Sequence, residues 1–393
     1  MDTKIILLMT QIKSFNKGVE ALNYGHLELL KNDFQYSKVY CYMLGKENME
    51  SSIEIDIAGR KIVLIQKIID WRAFIISLFI IPFYRVSNFC LKNKTIELFE
   101  NSEIVCTLNG GDSYSDIYGL KRLFLEFLLI LLPELMGLKV VFTPQTIGPF
   151  NTLLGKIMGA IPLLLATKIF TRDEKGDKFL NAIGKKSIRT RDVSTFMYPQ
   201  KVDYTVKQNT IGININGLMW ENTYDGLENC FDNYKILLKQ LVDKLLEQNY
   251  NILLIPHTYS ITEDFCENDY KAILQFIQNY KDESKVTYLN QEYLAPELKY
   301  IISQCDFFIG SRMHSNLAAL TTSTPTAALS YSYKFDGTFK MFDVDDCVIN
   351  AKNISPNDIP YIVDNVLTLI NQKEVLKTKL QKINSEIKEF SFV

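Results

Sequence analysis

The feature that constrains this chain most is a rhythm. Short apolar runs alternate with segments long enough for helices, from the first residues almost to the last. In the first half the runs are "KIILLM", "KVYCYML", "KIVLI", "EIVCTLNGG", "KVVFTPQ" and "KIFTRD". In the second they are "TIGINING", "NILLIPH", "VTYLN", "CDFFIGS", "PTAALSY" and "CVIN". Strands that are apolar at nearly every position are buried on both faces, and parallel strands need long crossovers, usually helices. The pattern therefore predicts an α/β fold with parallel sheets covered by helices. A polar connector, "VDYTVKQNT" (Val202 to Thr210), separates the two series. At 393 residues the chain is long for one core and ordinary for two. We expect two doubly wound, Rossmann-like domains, residues 1–204 and 205–393. The tail "EVLKTKLQKINSEIKEF" is amphipathic and reads as a C-terminal helix able to pack back across the first domain.

Charge and cysteine usage exclude several classes. The net charge of −2 argues against a nucleic-acid surface, which needs a basic excess. Seven cysteines (Cys41, Cys90, Cys106, Cys230, Cys266, Cys305 and Cys347) are scattered, odd in number and free of any CxxC pair. Neither a disulfide framework nor a zinc site is expected, and no metal or cofactor is called for. A reducing cytoplasm fits best. The start, "MDTKIILLMTQ", lacks a basic n-region and cleavage site, so it reads as a strand rather than a signal peptide. The stretch "AFIISLFIIPFY" (Ala73 to Tyr84) has 12 residues, against roughly 20 needed to span a bilayer. The run "LFLEFLLILLPELMGLKVVF" contains Glu126, Pro133 and Glu134 and ends as a strand. Both read as buried helices. Basic neighbours of the first (Lys67, Arg72, Arg85, Lys92) leave open a peripheral contact with the inner face of a membrane.

Ligands of open parallel sheets bind beyond the carboxyl ends of the strands. The residues there are Asn16 and Gly18, Asn109 to Asp112, Gln145 and Gly148, and Arg172 to Glu174 in the first half. In the second half they are Asn214 and Asn216, His257, and Ser311 to His314. Two of only three histidines sit at such ends; the third, His26, falls on the first helix and receives no role. In "FFIGSRMHSNLAALTT" a strand runs into a helix start, whose outward N–H groups favour an anion. Arg312 adds a planar fork for phosphate or carboxylate, and His314 a proton that can move near neutral pH. The competing reading pairs Arg312 with a carboxylate and lets His314 cap a carbonyl. In "CTLNGGDSYSD" the glycines Gly110 and Gly111 allow close backbone approach, and Asp112 or Asp116 can serve as a base. A plain tight turn is the alternative. Arg172 is a second anion candidate or else a partner of Asp173 or Glu174. Neither a GxGxxG fingerprint nor a P-loop lysine is present.

Taken together, "FNKGVEAL", "LNGGDSYSD", "FTPQTIGPF", "FTRDEKGDKFL", "LIPHTYS" and "ELKYIISQCDFFIGSRMHSNLAALTTSTPTAALSYSYKFDG" resemble the polysaccharide pyruvyl transferases. Order and spacing agree from about residue 5 to residue 343. The last piece is the most specific, combining Asp306, Gly310, Arg312, His314, Pro325, Tyr331 and Lys334. The resemblance implies a GT-B-like fold. It also implies transfer of the enolpyruvyl carbon of phosphoenolpyruvate to a sugar of a cell-surface glycan or its lipid-linked precursor, leaving a pyruvate ketal. By motif match Arg312 and His314 bind phosphoenolpyruvate, with Arg172 as partner in the other domain. Ser311, Tyr331, Lys334, His257, Asn16, Asn109, Gly110, Gly111 and Gln145 complete the expected substrate contacts. The first domain is the expected acceptor side. Two departures stand out: Asn109 replaces the first glycine of a triplet, and Val19 follows Gly18 where an acidic residue is common.

The chemistry agrees with this assignment. Phosphoenolpyruvate carries a carboxylate and a phosphate on a small frame, so it calls for cations and a helix start. Ketal formation needs a proton on the methylene carbon, for which the His314 imidazolium is the candidate donor. Asp112 is the first candidate base and Asp116 the second. A GT-B glycosyltransferase using a nucleotide sugar, with Asp336 toward a ribose, is the alternative enzyme. A catalytically silent glycan- or partner-binding relative is the alternative outside enzymes.

Overall fold

The computed structural model describes residues 3–393 except Lys13, Ala58, residues 88–92, Asp112, Ser113, Tyr224, Asp225 and Tyr333. Its contacts divide the chain into two compact units. The first comprises Met1–Lys13, Leu22–Met197 and Glu389–Val393, and the second Ser14–Ala21 and Tyr198–Lys388.

The first unit is built on β1 (Ile5–Leu8), the helix α1 (Lys17–Leu30) entering it from the second unit's segment, β2 (Lys38–Gly45), β3 (Met49–Ile57) and β4 (Arg60–Asp70). Then come α2 (Trp71–Ser87), the single turn α3 (Lys94–Glu97), β5 (Ile104–Thr107), α4 (Leu120–Met136) and β6 (Val140–Gln145). α5 (Leu153–Leu165), β7 (Lys168–Thr171), α6 (Glu174–Ala182) and β8 (Ile188–Arg189) complete it. The sheet order is β3-β4-β2-β1-β5-β6-β7-β8. All neighbours run parallel except β3 and β4. Every residue of β1, β5 and β6 is buried, the signature of a parallel sheet covered on both faces. The hairpin strand β3 was not among the expected runs. Its period-two set Ile53, Ile55 and Ile57 is masked by "MESSIEIDI" being polar at the other positions, as an edge strand is.

The second unit contains β9 (Thr210–Asn214), α7 (Gly217–Glu221), α8 (Tyr234–Glu247), β10 (Asn251–Leu254), α9 (Asp269–Phe276), β11 (Val286–Tyr288) and α10 (Ala295–Ser303). It continues with β12 (Phe307–Gly310), α11 (Met313–Thr321), β13 (Thr326–Ser330), α12 (Lys334–Lys340), β14 (Val348–Asn350), α13 (Ile359–Asn371) and α14 (Lys373–Glu386). Its sheet order, β11-β10-β9-β12-β13-β14, is the doubly wound order with the chain reversing direction between β9 and β12. All six strand-like runs expected in this half are its strands. The tail behaves differently from expectation. α14 stays with the second unit, burying Leu376 and Leu380 and donating from Asn384 Nδ2 to Leu320 O at 2.8 Å. Only Glu389–Val393 join the first unit, where the Phe390 and Phe392 rings pack on Phe170.

Candidate active site at the strand ends

In the second unit the reversal between β9 and β12 opens a gap at their carboxyl ends, and polar side chains fill it. Asp269, the first residue of α9, is fully buried. Its Oδ2 accepts from the backbone N–H groups of His257 (2.9 Å) and Thr258 (3.0 Å) and from Asn214 Nδ2 (3.2 Å). Its Oδ1 accepts from Gly217 N (2.8 Å) and from Arg312 Nε (3.2 Å) and Nη2 (2.8 Å). One carboxylate thus ties together the loops after β9, β10 and β12. Gly217 is required here, because a Cβ would stand 2.6 Å from the Glu267 backbone.

Arg312 is the N-cap residue of α11 and is almost fully buried. Besides Asp269, its Nη2 donates to Glu267 O at 2.9 Å, and Nη1 lies 3.4 Å from Glu267 Oε2. Burial opposes the charge, but Asp269, Tyr331 and Glu267 together hold the guanidinium's pKa above its ordinary value. Its fork, expected to grip a donor anion, is therefore already matched to a carboxylate of the protein. Ser311 Oγ shares a hydrogen bond of 2.9 Å with Tyr234 OH, and Ser311 O accepts from Asn216 Nδ2 at 2.9 Å. Burial raises the Tyr331 hydroxyl's pKa, against its hydrogen bond with Asn216. Gly310 leaves room for Asn316, whose Nδ2 donates to Gly310 O and Arg312 O.

The first turn of α1 lies in this unit too. Asn16 caps it, accepting from Gly18 N at 2.9 Å, and bridges to Thr258 as an isolated antiparallel pair. The Gly18 backbone lies against the His314 ring: a Cβ there would be 2.4 Å from Nδ1. Gly18 and His314 both belong to the first turns of their helices, so two N-termini, each with partial positive charge, converge. Lys17 Nζ sits 2.8 Å from Glu20 Oε2, and Glu20 Oε1 accepts from Ala295 N. His257 is buried, and its Nδ1 has no hydrogen-bond partner among the described residues. Burial, then the charges of His314, Arg312 and Lys17, push its pKa well below the ordinary value, so its imidazole is neutral near pH 7.

In the first unit, Asn109, Gly110 and Gly111 form a turn with φ of 45°, 60° and 88°. That left-handed run explains the departure at Asn109, since asparagine is among the side chains that best tolerate it. Asn109 Nδ2 donates to Gln145 Oε1 (3.1 Å), and Gln145 Nε2 to Thr107 O (2.8 Å). Arg172 is paired with Asp192 and donates from Nε to Thr146 Oγ1 at 3.0 Å; its Nη1 would be 3.1 Å from a Cβ on Gly111. The ion pair is with Asp192, whereas of the two alternative partners Asp173 caps α6 at Gly176 N and Glu174 pairs with Arg189 at 3.3 Å.

The remaining expected residues fall as follows. Asp112 lies outside the described residues, and Lys334 opens α12. Asp116 does not sit as a free base: its carboxylate accepts from Asn151 N, Thr152 N and Thr152 Oγ1, all within 2.9 Å. Desolvation would raise its pKa, and these hydrogen bonds hold it below the ordinary value instead. So the second unit gathers Asn16, His257, Ser311, Arg312, His314 and Tyr331, and the first gathers Asn109, Gly110, Gly111, Gln145 and Arg172. Sequence reasoning missed Asp269, Glu267 and Lys17. Asn268 caps α9 and Asp269 opens it; that the aspartate turns back under the strand ends has no local signal.

A family model for polysaccharide pyruvyl transferase matches residues 16–333. The chain is 19% identical over 153 residues to the amylovoran biosynthesis protein AmsJ of Erwinia amylovora, a match spanning 39% of this chain and 36% of that protein. Among solved structures, a UDP-GlcNAc 2-epimerase from Methanocaldococcus jannaschii has a TM-score of 0.54 at 11% identity, covering 94% of this chain and 93% of its own. An α,α-trehalose 6-phosphate synthase from Burkholderia multivorans has a TM-score of 0.52 at 8% identity, covering 98% and 95%. Such likenesses carry the fold, which is GT-B-like.

Proposed function

This chain belongs to the polysaccharide pyruvyl transferase family, and on that footing we propose that it moves the enolpyruvyl carbon of phosphoenolpyruvate onto a glycan or its lipid-linked precursor. The observation that carries the reading is the meeting of the α1 and α11 N-termini at Gly18 and His314, beside Lys17, Arg312 and the neutral His257. A small, doubly anionic donor suits that concentration of positive potential.

The proposed course is short. His314 delivers a proton to the methylene carbon, which becomes a methyl group, and positive charge develops on the adjacent carbon. One sugar hydroxyl adds there and gives up its proton to a base, with Asp112 the candidate. A second hydroxyl displaces phosphate, its proton leaving with that group, and the ketal closes. His257, neutral and with Nδ1 available, accepts from or donates to a bound substrate group. Arg312 acts through Asp269, positioning the loops and adding charge. Arg172 is proposed as a further anion contact. Asp116 is not assigned the base role, because both of its oxygens are engaged.

The test is a calorimetric titration with phosphoenolpyruvate and separately with UDP, followed by phosphate release in the presence of a diol-bearing glycan. Binding of phosphoenolpyruvate with acceptor-dependent phosphate release is expected. Binding of UDP with none of phosphoenolpyruvate would replace this reading with the nucleotide-sugar one.

A further inference from the structure

Helices on the outside of a covered parallel sheet ordinarily turn polar residues to water. Three in the first unit do not. α2 packs on α4, and α4 on α5, as a continuous layer. On α5, Leu153 is 77% exposed, with Leu154, Ile157, Leu164 and Leu165 about half exposed along the same helix. Phe124 continues the patch on α4, and Phe79 on α2 is 74% exposed. The expectation that the two apolar stretches are buried helices is thus only half met: Phe74, Ile81, Leu128 and Leu129 are inside, and the opposite faces are bare.

The charge along α4 and α5 has one sign. From Ile117 to Lys168 the sequence contains only two acids, Glu126 and Glu134. Glu126 is fully buried and paired with Arg122 at 3.2 Å. Burial pushes the Glu134 carboxyl up to about 9, so it is uncharged at neutral pH. The nearest acid before this span, Asp116, is engaged at the start of α5. Exposed Lys121 and Lys156 remain, and Arg122 lies over the exposed Tyr118 ring at 5.2 Å. Lys185 closes the far end of α5, donating to Leu164 O and Ala166 O. An apolar face with an amphipathic aromatic and a cationic rim is the chemistry of an anionic bilayer surface. Among the described residues no helix is long and apolar enough to cross a membrane, so a bilayer contact of this face would lie in the interface plane.

We propose that the outer faces of α4 and α5, extended by Phe79 of α2, dock this protein on the surface of an anionic lipid bilayer. A soluble second copy is the rival occupant, but two copies of this face would bring like charges together.

The test is flotation of the full chain with vesicles of phosphatidylcholine alone and of phosphatidylcholine mixed equally with phosphatidylglycerol, with light scattering in parallel. The expected result is binding to the anionic vesicles, weakened by salt. Lys121→Gln with Lys156→Gln should weaken it roughly 30-fold, at about fivefold per cation. Leu154→Glu should weaken it about 10–100-fold through lost apolar burial. All these side chains are exposed, so melting temperatures should stay unchanged; if Leu154→Glu fails to fold, the lysine pair decides. Absence of binding overturns the proposal. So does binding indifferent to both variants, or a dimer that Leu154→Glu dissociates while vesicles are ignored.

Discussion

Gly18 lies so close to His314 that a Cβ on it would stand 2.4 Å from Nδ1 and 2.8 Å from Cγ of the imidazole. The first turn of one helix therefore fixes the ring carried by the first turn of another. Gly18→Ala should not harm α1, since alanine is the better helix former by about 1 kcal/mol. It must displace the ring. Misplacing a reacting group by about 1 Å costs on the order of 100-fold, so turnover should fall by about that much while the fold persists. His314→Ala should lose about 10²–10⁴-fold. The double variant should be no worse than His314→Ala alone, because both act through one ring. Losses that multiply would show that Gly18 does not work through His314.

Arg312→Lys tests the role found for the guanidinium. A phosphate-gripping arginine would show its loss in the Michaelis constant for phosphoenolpyruvate and leave the melting temperature alone. The contacts to Asp269 and to Glu267 O instead predict instability. A lysine ammonium cannot reproduce the fork. Losing one charge-assisted hydrogen bond should lower stability by about 1.5–3 kcal/mol, and Arg312→Ala, which leaves Asp269 a buried unpaired charge, by about 3–5 kcal/mol. Urea unfolding of the two variants checks this; unchanged midpoints would return Arg312 to direct donor binding.

Asp116→Asn separates a cap from a base. If the carboxylate serves the N-terminus of α5, the variant should lose about 0.5–2 kcal/mol of stability and keep most of its activity. A base would show the reverse, a fall of about 10²–10⁴-fold in rate with unchanged unfolding. The hydrogen bonds from Asn151 and Thr152 predict the first outcome.

The sheets were legible because burial on both faces leaves strands such as "IILL" and "FFIG" with no polar position to confuse the pattern. β3 was not, because an edge strand is exposed and its isoleucines alternate with charges. At the site, Arg312 and His314 stood out by residue type after a strand. Asp269 did not, although it binds Arg312, because the two are 43 positions apart and meet only through the fold. Asp116 misled for the opposite reason: its nearness to Asn-Gly-Gly suggested catalysis, while its partners lie 35 and 36 residues on, at the start of α5. Spacing along the chain reveals strand ends well and long-range hydrogen bonds hardly at all.

His26, which has no role in the proposed chemistry, carries a prediction about acid stability. Its ring is fully buried, 5.1 Å from that of Phe392, and neither nitrogen has a partner among the described residues. Burial lowers its pKa to about 3. A histidine with a depressed folded pKa stays neutral in the native state while the unfolded chain takes up a proton below about pH 6.5. The unfolded state then binds more protons, so stability falls as pH drops from about 6.5 toward 3, and is unaffected above that window. The slope from one such group is about 1.4 kcal/mol per pH unit. His257, also depressed, adds in the same direction. His26→Leu keeps the site apolar and removes one of the two contributions. Its stability should match or exceed that of the natural protein at pH 7, and its loss between pH 6 and pH 5 should be smaller by about 1.4 kcal/mol. Urea unfolding at the two pH values measures the difference directly. Identical pH slopes in the two proteins would mean that His26 takes up its proton in the folded state as readily as in the unfolded one.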